Sequence, residues 1–382
     1  MLLHSITLTD LLSFSETTLE LRPLNVLIGA NASGKSNLIS AIGLLKAAPG
    51  DLPGAMTWGG GVRQWISQRK PSGTLATIQA EIELASETDR LRYSLAFSER
   101  DLGFHIVSEA LRSSVDGAGW VYFERSLGRM GIYKAPGLPV SETEISESKS
   151  LLAVYRDPTD PGPTTRLGDA FGAIRIFHEF NTSPVSQARW GASVGLQKDF
   201  LLDGGDNLAL ILQNLSFRGE MDRLTAYLRR FWDGAEDIRI NLEGGIAQTY
   251  VKERGIPNPI SARRLSDGTL KFLCLMAVLL HPEPPPLICV EEPESGLHPD
   301  ALAVVADALR EASEKCQVIV TTHSEALVGA FSDEPEAVVV CERGPDGDTQ
   351  FKRLQFSELD KWLEHYRLGE LWRMGEIGGN RW

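Results

Sequence analysis

The sequence predicts an α/β fold: a mixed or parallel sheet carrying a glycine-rich loop, joined by an antiparallel β subdomain and a mostly helical insertion. Three observations predict it. The apolar run Val26-Leu27-Ile28 leads into Gly29-Ala30-Asn31-Ala32-Ser33-Gly34-Lys35-Ser36 and then into a helical pattern from Asn37 to Leu45, the order strand, loop, helix. Residues 77–84, 90–97 and 120–123 alternate apolar and polar side chains at period two, as half-buried antiparallel strands do. From Arg264 onward, short apolar runs alternate with helical patterns, as in a parallel sheet.

Taken in order, residues 2–28 read as short strands with a turn near Leu12-Ser13-Phe14-Ser15 and with Pro23 before the strand that feeds the loop. A Gly/Pro-rich stretch, Ala48 to Gly61, separates the first helix from the alternating strands. Between 141 and 235 the texture turns to a charged Ser/Glu stretch, the punctuated run from Arg156 to Pro163, and helical patterns at Asn207–Leu215 and Met221–Phe231. No heptad run of three or more repeats suggests a long coiled-coil arm. The α/β part then reads as an apolar helix at 267–280, a proline-rich break at 282–286, a strand at Leu287–Val290, a helix at 299–314, and strands at Gln317–Thr321 and Ala337–Cys341. The expected organisation is one domain: an N-terminal lobe over 1–140, a helical insertion over 141–235, a C-terminal lobe over 236–345 and a tail over 346–382.

Composition narrows the classes of function. The chain has 382 residues, enough for a large core, and its net charge of −13 argues against a surface uniformly adapted to nucleic acid. Local pairs such as Arg229-Arg230 and Arg263-Arg264 leave room for basic patches. Cys274, Cys289, Cys316 and Cys341 are too widely spaced for a zinc knuckle or a disulfide framework, so a reducing cytoplasm is expected. The longest apolar run, Phe272 to Leu280, is about half of what a bilayer needs, and the N-terminus lacks the pattern of a secretory signal. No membrane partner is expected.

The loop Gly29–Ser36 has the spacing G-x-x-x-x-G-K-[ST], which lets consecutive N–H groups and a helix N-terminus face phosphates. Lys35 then reaches the β- and γ-phosphates of ATP, Ser36 ligates Mg2+, and Asn37 opens the helix. Leu287–Val290 ends in Glu291-Glu292-Pro293-Glu294. Adjacent strand residues point to opposite sides, which suits Glu291 to the metal and Glu292 to orienting and deprotonating the attacking water. Ser266 is a good N-cap for the helix that follows Leu265-Ser266-Asp267-Gly268-Thr269.

At this point the motifs resemble those of ABC-type ATPases. Leu265-Ser266-Asp267-Gly268 is similar to the signature segment whose serine and helix N-terminus bind the γ-phosphate of ATP held by the opposite subunit. Thr321-Thr322-His323-Ser324 is similar to the switch-histidine segment, which implies that His323 senses the γ-phosphate. Ser295-Gly296-Leu297-His298-Pro299 stands where the family has its D-loop, and its form resembles the RecF, SMC and OLD branch, including the bacterial group of AAA-family ATPases. The resemblance implies a head-to-tail homodimer closed around two ATP molecules. It departs at Glu291, where most ABC ATPases have Asp, and no glutamine of the Q-loop can be placed, Gln64 and Gln68 being candidates by residue type only.

Two functions are consistent with these motifs: an ATP-driven ATPase of DNA transactions or DNA sensing, and a nucleotide-gated scaffold of a phage-defence or toxin module that holds a separately encoded effector nuclease. A transporter ATPase is disfavoured by the 230 residues that separate Lys35 from Leu265. A built-in TOPRIM nuclease is disfavoured because Gly344-Pro345-Asp346-Gly347-Asp348, beside Glu342, reads as a hairpin turn. The aromatic C-terminal stretch, Trp362, Tyr366, Trp372 and on to Trp382, either packs on its own domain or docks a partner.

Overall fold

The structure is a computed structural model that describes all residues except 86, 88, 102, 114–119, 127–128, 136–137, 145, 157–161 and 380–382. For 126, 129–130, 133–135 and 138–144 only the course of the backbone is described. The punctuated run after Arg156 and the end of the aromatic tail therefore lie largely outside the described residues. The chain forms two compact units, one of residues 1–174, 339–353 and those from Gly378 on, the other of 175–338 and 354–377.

Unit 1 begins with β1 (Leu2–Leu11), β2 (Phe14–Glu20) and β3 (Leu24–Ile28), followed by α1 (Lys35–Ala47), α2 (Leu52–Trp58) and α3 (Val62–Trp65). It continues with β4 (Ala76–Glu83), β5 (Leu91–Arg100), β6 (Gly103–Ser113), β7 (Val121–Ser126), β8 (Arg129–Ala135), β9 (Leu138–Glu144), α4 (Leu151–Val154) and α5 (Pro163–Gly172). Eight of these strands form one antiparallel sheet in the order β2-β1-β4-β5-β6-β7-β8-β9. In β4 the alternation does what it predicts: Ala76, Ile78, Ala80 and Ile82 are buried and the residues between them face outward. All five residues of β3 are buried, as in a strand covered on both faces.

A buried carboxylate ties this sheet to the segment that follows it. Glu109 of β6 is fully buried and accepts hydrogen bonds from Tyr93 Oη (2.9 Å), Ser150 Oγ (2.6 Å) and the Leu151 N–H (2.8 Å). Burial raises its pKa above the ordinary carboxylate value, and the donors and Arg125 offset only part of that. A raised folded-state pKa means a stabilising contribution that is present below the unfolded value near 4.5 and lost as pH rises through the folded value. The stability of wild type minus that of Glu109→Gln, from urea unfolding, is therefore expected to be largest near pH 4.5 and to shrink towards pH 8. A difference that does not vary with pH would contradict this.

Unit 2 opens with β10 (Arg175–Phe177), α6 (Gln187–Trp190), β11 (Ala192–Ser193), α7 (Leu208–Phe217), α8 (Met221–Phe231), β12 (Ala235–Glu243), β13 (Ile246–Glu253) and β14 (Ile260–Ser261). It continues with α9 (Asp267–Leu279), β15 (Leu287–Glu291), α10 (Leu302–Ser313), β16 (Gln317–Thr321) and α11 (Glu325–Gly329). Strands β10, β15 and β16 lie side by side and parallel. Helix α9 is buried on nearly all sides, packed against α7, α8 and α10, with Phe272 stacked on Phe231 at 4.2 Å between ring centres. The helix read at 299–314 begins with a single 3-10 turn at Pro299–Ala301, capped by His298, before α10 proper.

The chain returns to unit 1 for β17 (Val338–Arg343, all but its first residue) and β18 (Thr349–Arg353), an antiparallel hairpin whose turn is the Gly344–Asp348 segment. Within unit 1, β17 lies between β3 and β18. The last helices, α12 (Phe356–Leu363) and α13 (Leu368–Met374), belong to unit 2. Leu368, Leu371 and Trp372 of α13 are buried, whereas Phe356, Trp362 and Tyr366 stay exposed, so the aromatic stretch is divided between packing and surface. Among the described residues, no helix is long and apolar enough to cross a membrane. All four cysteines are buried and none is in a disulfide.

Candidate active site

The phosphate loop of unit 1 runs from the end of β3 to the start of α1. Gly34 is the N-cap of α1 with φ +112°, and a Cβ there would lie 2.1 Å from Thr349 Oγ1, so both conformation and space demand glycine. Lys35 is 6% exposed and its Nζ donates to the carbonyls of Gly29 (2.7 Å) and Ala30 (3.0 Å), which centres the ammonium on the loop. Ser36 and the backbone at Asn31 and Ala32 face solvent.

The loop is held from behind by residues that no motif flags. Thr349 Oγ1 donates to Ser33 O (2.8 Å) and meets Ser13 Oγ at 2.7 Å, and Arg343 Nε donates to Ala32 O (2.8 Å). Asn37 Nδ2 donates to Ser13 Oγ (2.7 Å), so Asn37 ties the start of α1 to the same brace. Arg69 and Arg343 both donate to Gly347 O and anchor the hairpin turn. Thr349→Val keeps the shape but leaves the buried Ser33 carbonyl without its donor, a cost of about 1–3 kcal/mol. A lowered melting temperature together with a higher KM for ATP is expected; an unchanged KM would show that the brace does not reach the loop.

Does this cradle fit ATP? The Gly34 position has no room for a Cβ, and Ser33 Oγ is buried with no hydrogen-bond partner among the described residues. A glycine-only turn at the start of α1, with an unspent hydroxyl beside it, fits a phosphate-binding loop. Among the described residues no cluster of three acidic, His or Cys side chains could hold a metal alone. Mg2+ takes one or two protein oxygens and completes its shell with phosphates and water.

The carboxylates stand in unit 2 at the end of β15. Glu291 Oε1 lies 2.7 Å from His178 Nδ1, just beyond β10. Glu292 has a left-handed backbone, φ +43°, held by its N–H donating to Thr321 O (2.9 Å). Such a conformation in a non-glycine residue is costly, and it occurs here at the residue the sequence marks as the candidate general base. His323 Nε2 lies 3.8 Å from Glu292 Oε1, and Ser295 Oγ donates to Glu292 Oε2 at 3.4 Å. The structure thus brings together the two side chains expected to act on water and γ-phosphate. His178, Lys271, Glu291, Glu292 and Ser295 help line a cavity of about 280 Å3.

Glu294 is the residue of this strand end that sequence reasoning passed over. Its Oε1 accepts from Thr322 Oγ1 (2.7 Å) and from the His323 N–H (2.7 Å), which fixes the switch segment to the strand end. Burial raises its pKa, partly offset by those two donors. The signature segment is also in unit 2. Ser266 caps α9, its Oγ accepting from the Thr269 N–H (3.1 Å), and a Cβ at Gly268 would come 2.7 Å from Gly296 O, so the D-loop and the signature pack backbone to backbone. Asp267 is exposed and paired with Arg189, which no motif announced. Gln64 is exposed, and Gln68 folds onto Arg63 O of its own turn (2.7 Å).

The family described as "AAA domain, putative AbiEii toxin, Type IV TA system" matches residues 24–133 and 207–329, together more than half the chain and including the phosphate loop, the signature, the carboxylates and His323. The chain belongs to this family. It is similar to the "Phosphate import ATP-binding protein PstB 2" of Trichormus variabilis, 23% identical over 223 residues that span 56% of this chain and 69% of that one. The protein of the same name from Mycobacterium tuberculosis is 30% identical over 96 residues, 23% of this chain and 34% of the other. The fold is that of an SMC head: a head bound to the C-winged-helix domain of ScpA superposes with a TM-score of 0.59 at 14% identity, covering 94% of this chain and 99% of that one. A second head, with an extended coiled coil and bound to the C-terminal domain of ScpA derived from Pyrococcus furiosus, gives 0.58 at 12% identity, covering 95% and 98%. This family member is an ATPase with the fold of an SMC head, and its cofactors are ATP and Mg2+.

Proposed function

We propose that the ATPase closes as a homodimer around ATP and acts in DNA transactions or DNA sensing. In this reading Gly29–Asn37 hold the triphosphate, with Lys35 on the β- and γ-phosphates, and Ser36 and Glu291 hold Mg2+, which neutralises charge on the phosphates. Glu292 takes the proton of the attacking water. His323, fixed by Glu294, hydrogen-bonds the γ-phosphate. Ser266, Asp267 and Gly268 of a second copy cover it.

The observation that carries the reading is the signature end of α9. The body of that helix is buried, yet Ser266 and Asp267 at its N-terminus are exposed, so the positive end of the helix dipole is turned outward to where an anion can reach it. Removal of the γ-phosphate loosens whatever both copies grip, which turns hydrolysis into movement. The SMC-head fold supports the DNA reading. The test is ATPase activity with and without DNA over a range of salt. Stimulation that fades as salt rises supports the reading, and rates unchanged by any form of DNA oppose it.

A second reading, a nucleotide-gated scaffold for a separately encoded effector in a defence or toxin module, is favoured by the exposed Phe356, Trp362 and Tyr366 and by the toxin–antitoxin description of the family. The two solved heads are each bound to a partner protein's domain, which supports a partner here too. Four buried cysteines, none in a disulfide, suit the cytoplasm as the working compartment.

A further inference from the structure

The signature segment has to receive an anion, and its first helical residue is an acid. Asp267 stands at the exposed N-terminus of α9 with its side chain 68% exposed, where its charge repels a phosphate. The structure sets a guanidinium against it. Arg189, on the short helix α6, is 11% exposed and uses all its nitrogens on this segment and its surroundings. Nη2 donates to Asp267 Oδ1 (2.5 Å), Nη1 to Leu265 O (2.6 Å) and Ala262 O (3.3 Å), and Nε to Thr182 O (2.8 Å).

We propose that Arg189 is a positioning residue for ATP hydrolysis: it neutralises Asp267, so that the N-terminus of α9 can accept the γ-phosphate of ATP held by a second copy. The inference rests on the composite-site reading given above. Two features make it an arginine's task. Its fork is planar and permanently charged, so one group can hold carbonyls of two chain segments and a carboxylate at once, which the point charge of lysine cannot. The neighbouring Arg263 guanidinium lies 4.2 Å from the Trp190 ring centre, which ties α6 to the same turn by a second contact. With Gly296 O packed against Gly268 on the other side, the signature is held both by the D-loop and by Arg189. The hydrogen bond from Arg189 also holds the Asp267 carboxyl below its ordinary pKa.

The test is a double-mutant cycle on the full chain with ATP and Mg2+, reading kcat, KM and the affinity for a fluorescent ATP analogue at protein concentrations low enough to be monomeric. Arg189→Ala is expected to lower kcat by about 10- to 100-fold, the scale on which supporting groups act, with analogue binding by the monomer unchanged. Adding Asp267→Asn is expected to restore kcat to within about threefold of Asp267→Asn alone, because the charge that needed neutralising is gone. Wild-type kcat in Arg189→Ala, or a double variant as slow as Arg189→Ala, would overturn the inference, the latter by leaving Arg189 a purely structural anchor. If circular dichroism shows that Arg189→Ala does not fold, Arg189→Gln, which keeps an amide donor and drops the charge, takes its place in the same cycle. Ser266→Arg separates the two levels. If it hydrolyses ATP normally, the composite site and this inference fall together. If it is inactive while the Arg189 variants are normal, only this inference falls.

Discussion

Glu292→Gln is expected to lower the rate of ATP hydrolysis by about 10²- to 10⁴-fold while ATP remains bound, the range for loss of a general base. Glutamine keeps the size and the acceptor oxygen, so the Ser295 contact and the turn after β15 should persist. What it cannot do is accept a proton from water. The left-handed backbone of Glu292 aims the side chain away from the direction a regular strand continuation would give, and His323 and Ser295 flank it. Wild-type and variant should therefore have the same melting temperature, and analogue affinity should change little. With ATP and Mg2+ the variant should run at the mass of a dimer, because the γ-phosphate that both copies grip is not removed. Single-turnover kinetics and mass photometry check the two halves of this result. An unchanged rate would move the base to another carboxylate, and a mass that stays monomeric with ATP bound would remove the dimer.

Lys35→Ala is expected to weaken ATP binding by about 10- to 150-fold, the equivalent of the 1.5–3 kcal/mol of a hydrogen bond to a charged group. It should lower kcat by a further 10²- to 10³-fold or so, as when one donor to a developing negative charge is lost. The ammonium now sits on the carbonyls of Gly29 and Ala30, so it is already at the centre of the loop, and binding phosphate exchanges neutral acceptors for charged ones. The loop itself should survive, because Thr349, Ser13 and Arg343 brace it from outside. Equilibrium binding of the analogue, with circular dichroism as the fold control, checks this. Affinity within threefold of wild type would show that Lys35 does not touch the phosphates. Since ATP closes the dimer in the proposed cycle, this variant should also stay monomeric, the opposite of Glu292→Gln.

Much of the fold was legible because its signals are local. The strands read at 77–84, 90–97, 287–290 and 317–321 appear within a few residues of β4, β5, β15 and β16, and the helix read at 267–280 is α9. Burial of one face, or of both, writes itself into successive residues. Other strands were missed for identifiable reasons. Strand β10 has three residues, too few for any period to show. Strand β6 is interrupted by the buried Glu109, whose polarity hides an inward position. Strands β12 and β13 were announced by the pair Gly244-Gly245 between them, a hairpin signal that was available and not used.

The sequence by itself marked the phosphate loop and the candidate carboxylate pair, signature segment and switch histidine, because each is a run of neighbouring residues whose chemistry depends on backbone shape and spacing along the chain. Only the tertiary structure decided what holds them. Thr349 under the loop, Arg189 on the signature, Glu294 beneath His323 and His178 beside Glu291 are ordinary polar residues at unremarked positions. Their roles come from hydrogen bonds between segments as far as 336 residues apart. A hydrogen bond forms only within about 3 Å and in a narrow range of directions, and separation along a chain carries no record of which distant groups folding will bring that close.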